Sequence, residues 1–171
     1  AEKVFAEYTM KLRKAGNIPD AIGTSVVLAD IKLVLGHLHE AIHTLEQLLQ
    51  FVMDQGEPIP LDAADLHREL SKLHLEQGNL EAAAQHLQRS KELGEKAQSP
   101  VSLYRLCIDQ ARLKTAQGDL EEALALLDEA QRLYIRSPLP DFCPISAMKA
   151  RIWVAQGRLT EALEWVREQG L

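Results

Sequence analysis

The residues with the clearest chemical potential are His39-Glu40-x-x-His43. On a helix this spacing sets two imidazoles one turn apart, with a carboxylate between them. In zinc hydrolases that carboxylate is the general base for metal-bound water. A catalytic site needs a third ligand, and none follows at a zinc-protease spacing; His37 lies in the adjoining turn. Other reactive arrangements are missing too. There is no GxxxxGK[ST] loop for phosphates, no GxSxG nucleophile elbow, and neither Cys107 nor Cys143 has a histidine partner evident from spacing. The sequence therefore points to no catalytic residue, no metal site and no cofactor.

The surroundings of Glu40 explain it differently. Four stretches repeat: Gly36-His-Leu-His-Glu-Ala-Ile, Gly78-Asn-Leu-Glu-Ala-Ala-Ala, Gly118-Asp-Leu-Glu-Glu-Ala-Leu and Gly157-Arg-Leu-Thr-Glu-Ala-Leu. Five residues after each glycine stands Ala41, Ala83, Ala123 or Ala162, and nine after it Leu45, Leu87, Leu127 or Val166. Upstream, five before, are Ile31, Leu73, Leu113 and Ile152; seven before are Ala29, Ser71, Ala111 and Ala150. Glu40 shares its column with Glu122 and Glu161, whose copies carry no histidine. It reads as a first-turn acid at the positive end of a helix.

Each column has a structural reason. Glycine ends a helix in the left-handed conformation, and Asn79 and Asp119 cap the next one. Small residues on both sides let two antiparallel helices approach, and leucines fill the seam. Prolines at 58, 60, 100, 138, 140 and 144 separate the units. The expected fold is all-α: one domain over 1–171, a right-handed α-solenoid of helical hairpins with about nine helices. An unpaired helix covers 1–16, with Val4, Phe5, Tyr8 and Leu12 set to pack on the next pair. Hairpins follow at about 19–54, 60–96, 100–136 and 144–169. Gly16-Asn-Ile-Pro-Asp-Ala-Ile imitates the signature but comes only 20 residues before Gly36, so it reads as a helix end.

In such a solenoid the first helix of each hairpin faces the concave side. The column six before each glycine is Asp30, Lys72, Arg112 and Arg151; ten before adds Arg68, and thirteen before adds Asp65 and Arg105. This predicts a largely basic groove suited to an anionic small molecule, a carboxylate-bearing peptide or an acidic partner segment through bidentate arginine contacts. The competing expectation is that these cations pair with Asp30, Asp65, Glu69, Glu76 and Asp109 across neighbouring repeats. Trp153 and Trp165 read as packing for the last hairpin, and Cys107 as a packing position.

Bulk properties agree with a binding scaffold. The 171 residues are 46% hydrophobic and only 5% aromatic, so the core is aliphatic. A net charge of −6 without a basic run argues against a nucleic-acid or anionic-membrane surface. Two distant cysteines and the lack of a leader or apolar span suggest a reduced, cytoplasmic setting. The absence of an initial Met fits a piece of a longer chain, whose cut, apolar end could self-associate.

The GxLxEAL signature resembles tetratricopeptide repeats, with a period of 39 to 42 in place of 34. The longer form is similar to the superhelical sensor of MalT-like regulators, large LuxR-type transcriptional activators with a STAND-class ATPase. The stretches AIGTSVVLADIKLVLGHLHEAI (21–42), QGDLEEALALLDEAQRL (117–133) and AQGRLTEALEWVREQGL (155–171) carry the likeness. The resemblance implies a middle segment that senses an inducer or protein partner. ATP and DNA binding would belong to other domains of the full-length protein. A generic tetratricopeptide adaptor, unconnected with transcription, is the other expectation.

Overall fold

Glycine turns set the architecture. In the computed structural model, which describes residues 2–56, 63–95, 100–133 and 144–170, Gly36, Gly78, Gly118 and Gly157 all have φ between +74° and +83°. Residues with a Cβ avoid that region. Each turn closes with the same bond. The N–H of His37, Asn79, Asp119 or Arg158 donates to the carbonyl of Lys32, His74, Lys114 or Trp153 at 2.8–2.9 Å. This is the Schellman arrangement, which satisfies carbonyls left over at a helix end. On the far side, Asn79 Oδ1 accepts from Ala82 N (3.1 Å) and Asp119 Oδ1 from Glu122 N (3.3 Å), so the expected caps form. His37 and Arg158 make no such side-chain bond.

The helices are α1 (Glu2–Lys14), α2 (Ile18–Val34), α3 (Leu38–Asp54), α4 (Ala63–Glu76), α5 (Leu80–Glu95), α6 (Pro100–Gln117), α7 (Leu120–Leu133), α8 (Ile145–Ala155) and α9 (Leu159–Glu168). The described residues contain no strand. The expected helix ends at 60, 96 and 136 and the prolines at 58, 60, 138 and 140 lie outside the described residues. No described helix is long and apolar enough to cross a membrane.

Two compact units divide the chain, Ala1–Ala97 and Gln98–Leu171. In the first, each helix packs on the next in sequence from α1 to α5, and α2 also touches α4. Its core joins Ile22, Ala29, Ala41, Leu45, Leu48, Val52, Leu66, Leu70 and Leu73. In the second unit α6 packs on α7, α7 on α8 and α8 on α9. Ala111, Ala123, Leu127, Ala130, Ile145 and Ile152 form its core, with Trp153 and Cys107 packed against it. The small-residue columns are where the helices meet: Ala29, Ser71, Ala111, Ala41, Ala83 and Ala123 are almost wholly buried. Ser71 satisfies its hydroxyl by donating to the Ala83 carbonyl across the hairpin at 2.9 Å.

The N-terminal helix differs from expectation. Gly16 (φ +71°) does more than end α1: Asn17 N–H returns to the Leu12 carbonyl at 3.0 Å, the bond that closes the hairpin turns. α1 therefore packs along α2, with Thr9 Oγ1 donating to Thr24 Oγ1 at 3.0 Å and the Arg13 guanidinium 4.3 Å from the Phe51 ring centre. Phe5, Thr9 and Leu12, at spacings of four and three, form the packed side. Val4 and Tyr8 sit one position off that side and project outward, 68% and 51% exposed, contrary to the expectation that they pack.

Candidate functional site

The histidine pair of the HExxH stretch is occupied by ordinary surface contacts. Glu40 takes the Lys32 ammonium at 3.3 Å and lies 4.0 Å from His37 Nδ1. His39 Nε2 contacts Gln77 Nε2, just after α4, at 3.4 Å, and His43 Nε2 contacts Gln47 Nε2 at 3.0 Å. Among the described residues no three His, Cys, Asp or Glu side chains are placed to hold a metal ion. The Lys32–Glu40 pair has a copy in the second unit, where Lys114 Nζ lies 2.6 Å from Glu122. Both lysines stand four before the glycine and both glutamates four after it. Glu40 thus sits in the first turn of α3 and pairs with Lys32 of α2, as Glu122 pairs with Lys114.

The candidate groove residues divide between the two units. On the first unit, Asp30 of α2 and Asp65, Arg68 and Lys72 of α4 come together around a side chain that the column reading assigned only to pairing, Glu69. Its carboxylate is buried; Oε1 takes Arg68 Nη2 at 2.9 Å and Oε2 takes Lys72 Nζ at 2.5 Å. Arg68 also reaches Asp65 Oδ1 at 3.3 Å. Burial raises the Asp30 carboxyl above its usual range; Lys72 and Arg68 oppose that and Glu69 adds to it. The electrostatic coupling places Asp30 within the field of the α4 charges.

On the second unit Arg112 Nη1 pairs with Asp109 Oδ1 at 3.2 Å, and Asp109 is almost completely buried. Arg105 lies seven residues before Arg112, hence on the same side of α6, and is exposed. Arg151 of α8 is also exposed. Arg68, Lys72 and Arg112 pair with acids of their own helices, Arg68–Asp65, Lys72–Glu69 and Arg112–Asp109 at i,i+3 and Arg68–Glu69 between neighbours, while Lys72 and Arg68 also act on Asp30 across α2 and α4. Glu76, another expected partner, is exposed at the end of α4.

The buried acids form a column nine before the glycine: Val27, Glu69, Asp109, Met148. Their signal was the E-x-x-K and D-x-x-R spacing, which puts acid and base on adjacent turns. A second unforeseen cluster, His67, His74 and His86, joins α4 to α5. Cys107 is half-buried, and burial raises its thiol pKa, so it is protonated and not poised as a nucleophile. Trp165 Nε1 and Gln156 Oε1 are buried without a hydrogen-bond partner among the described residues.

Helical hairpins of this register, with charged groups on their first helices and no assembled catalytic constellation among the described residues, define a tetratricopeptide-like repeat domain. The MalT-like tetratricopeptide region matches residues 1–170, and the chain belongs to that family. No curated protein matches it significantly. Solved structures share the fold at low identity. Aspartyl phosphate phosphatase F from Bacillus subtilis superposes with a TM-score of 0.72 at 16% identity, over 97% of this chain and 43% of that one. A signal transduction ATPase with numerous domains and a tetratricopeptide repeat sensor, from Pyrococcus horikoshii, gives 0.70 at 17%, over 99% and 26%. BtubC from P. vanneervenii gives 0.69 at 16%, over 88% and 62%. The chain thus spans less than two thirds of each of these proteins. Repeat domains of this type generally serve as protein-binding scaffolds without catalytic activity of their own.

Proposed function

We propose that this chain is the sensing segment of a larger MalT-like, LuxR-type transcriptional regulator, reading an inducer or protein partner on the first helices of its hairpins. The observation that carries the reading is the fixed charge on those helices. Glu69 and Asp109 lie beneath Arg68, Lys72 and Arg112 and hold them by ion pairs, so the cationic groups are pre-positioned at the surface. Fixing a side chain before binding lowers the entropy lost on binding. The MalT-like family match and the fold likeness to a STAND protein with a repeat sensor support the regulator context.

The charge balance favours the second unit for an anionic ligand. There Arg105, Arg112 and Arg151 stand against the buried Asp109. On the first unit Arg68 and Lys72 are offset by Asp30, Asp65 and Glu69. An oligoglutamate peptide titrated calorimetrically into the 171-residue chain tests this. Binding that Arg112→Glu weakens tenfold or more supports the face; equal affinity of the variant refutes it. The regulator context has its own test in the reading frame around this segment. A P-loop ATPase and a helix-turn-helix encoded there support the regulator. Flanks with neither leave a tetratricopeptide adaptor, for which partner capture replaces ligand screening. Cytoplasmic residence follows from the same proposal.

A further inference from the structure

Three imidazoles meet inside the α4–α5 hairpin. His67 Nδ1 and His86 Nδ1 are 3.0 Å apart. The His86 ring also stacks on His74, with centroids 5.3 Å apart and planes at 14°. His74 is buried, and its Nδ1 contacts Gln77 Oε1 at 3.2 Å. Gln77 in turn touches His39 of α3. The register shows what is unusual. His67 stands eleven before its glycine and His86 eight after it; the same two places hold Ser25 and Thr44, Cys107 and Leu126, or Ser146 and Trp165 in the other hairpins. Only the α4–α5 hairpin puts two titratable rings at this seam.

A 3.0 Å contact between two Nδ1 atoms needs one proton between them, with one ring donating and the other accepting. Among the described residues no third ligand accompanies the pair, so a proton is what the two rings are placed to share. Protonating the accepting Nδ1 removes the acceptor, and charging both rings sets two cations face to face, with His74 stacked behind. We infer that the His67–His86 pair, with His74 stacked on it, is a proton-responsive latch, closing α5 onto α4 while the two paired rings are neutral and releasing it on acidification.

The surrounding charges offer limited relief. On α5, Arg89 disfavours a charged His67, while Glu92 favours it but is already paired with Arg89 at 2.7 Å. On α3, Glu46 favours a charged His86, against burial and His74. Burial, then His86 and Arg89, push His67 down to about 4; burial and His74 lower His86. The folded hairpin therefore binds fewer protons than the unfolded chain below the ordinary histidine value of 6.5. The latch's contribution is present above that value and is lost as pH falls toward 4. Because α4 also carries Arg68 and Lys72, release of the hairpin would disturb the candidate binding face.

Urea unfolding of the 171-residue chain at pH 7.5 and 5.0 tests the latch, comparing wild type with His67→Gln. Glutamine can still hydrogen-bond to His86 but cannot titrate. The unfolding constant of wild type is expected to rise on the order of tenfold more over this interval than that of the variant, after allowance for partial exposure of His67. Equal pH dependence overturns the inference. If the variant does not fold, the imidazole C2–H resonances of wild type decide. His67 and His86 midpoints well below 6.5 support the latch, and midpoints at the ordinary histidine value overturn it.

Discussion

Glu69 and Asp109 hold the same place in two repeats, nine residues before Gly78 and Gly118, and each is buried beneath the cation three residues on. Lys72 Nζ lies 2.5 Å from Glu69 Oε2, and Arg112 Nη1 lies 3.2 Å from Asp109 Oδ1. A buried carboxylate is costly unless paired, so each acid depends on its cation as much as it orients it.

This dependence is measurable. Lys72→Met removes one of the two cations on Glu69 and leaves Arg68 to compensate, so a loss of roughly 1 kcal/mol is expected. Glu69→Gln leaves two cations facing a neutral amide and is expected to cost about 2–3 kcal/mol. The double variant should cost less than the sum of the two, with a coupling of about 1 kcal/mol in a urea double-mutant cycle. Strict additivity would mean that the ion pair contributes nothing to the fold.

Backbone conformation gives a prediction of both signs within one helix. Gly36, at φ +82°, ends α2, while Gly23 lies inside it; neither would place an added Cβ within 4 Å of another group. Gly36→Ala should destabilise by about 1–2 kcal/mol because the left-handed region penalises a Cβ. Gly23→Ala should stabilise by about 0.5–1 kcal/mol, since alanine loses less backbone entropy in a helix. Thermal melts of both variants check the pair; a shared sign would exclude the turn conformation as the cause.

Asp30 makes a pH prediction of opposite sense to the histidines. Its carboxyl is raised by burial, so folding disfavours its charged form. The resulting penalty is absent when the pH is below the unfolded value and grows as pH rises through the folded one. Asp30→Asn should therefore stabilise the chain by a few tenths of a kcal/mol near pH 7, a modest effect because the group is partly exposed. The gain should vanish in acid. A variant less stable than wild type at pH 7 would show that Asp30 is held by favourable charge contacts instead.

Much of the fold was legible because glycine and alanine report on backbone geometry. Gly36, Gly78, Gly118 and Gly157 mark places where only a residue without a Cβ is comfortable. Ala41, Ala83 and Ala123 mark close helix approach. Such requirements are local and recur with each repeat, so the sequence by itself determined the helical hairpins, their register and the family. It also placed Glu40 in one column with Glu122 and Glu161. Contacts between side chains of different helices are not local. The packing of α1 through Phe5, Thr9 and Leu12, with Val4 turned outward, depends on the rotation of one helix against another. The stacking of His86 on His74 depends on rotamers chosen across α4 and α5. The sequence named Arg68, Lys72 and Arg112 as groove cations. Only the tertiary structure decided how deeply the carboxylates beneath them are buried, because burial depends on every neighbouring helix at once.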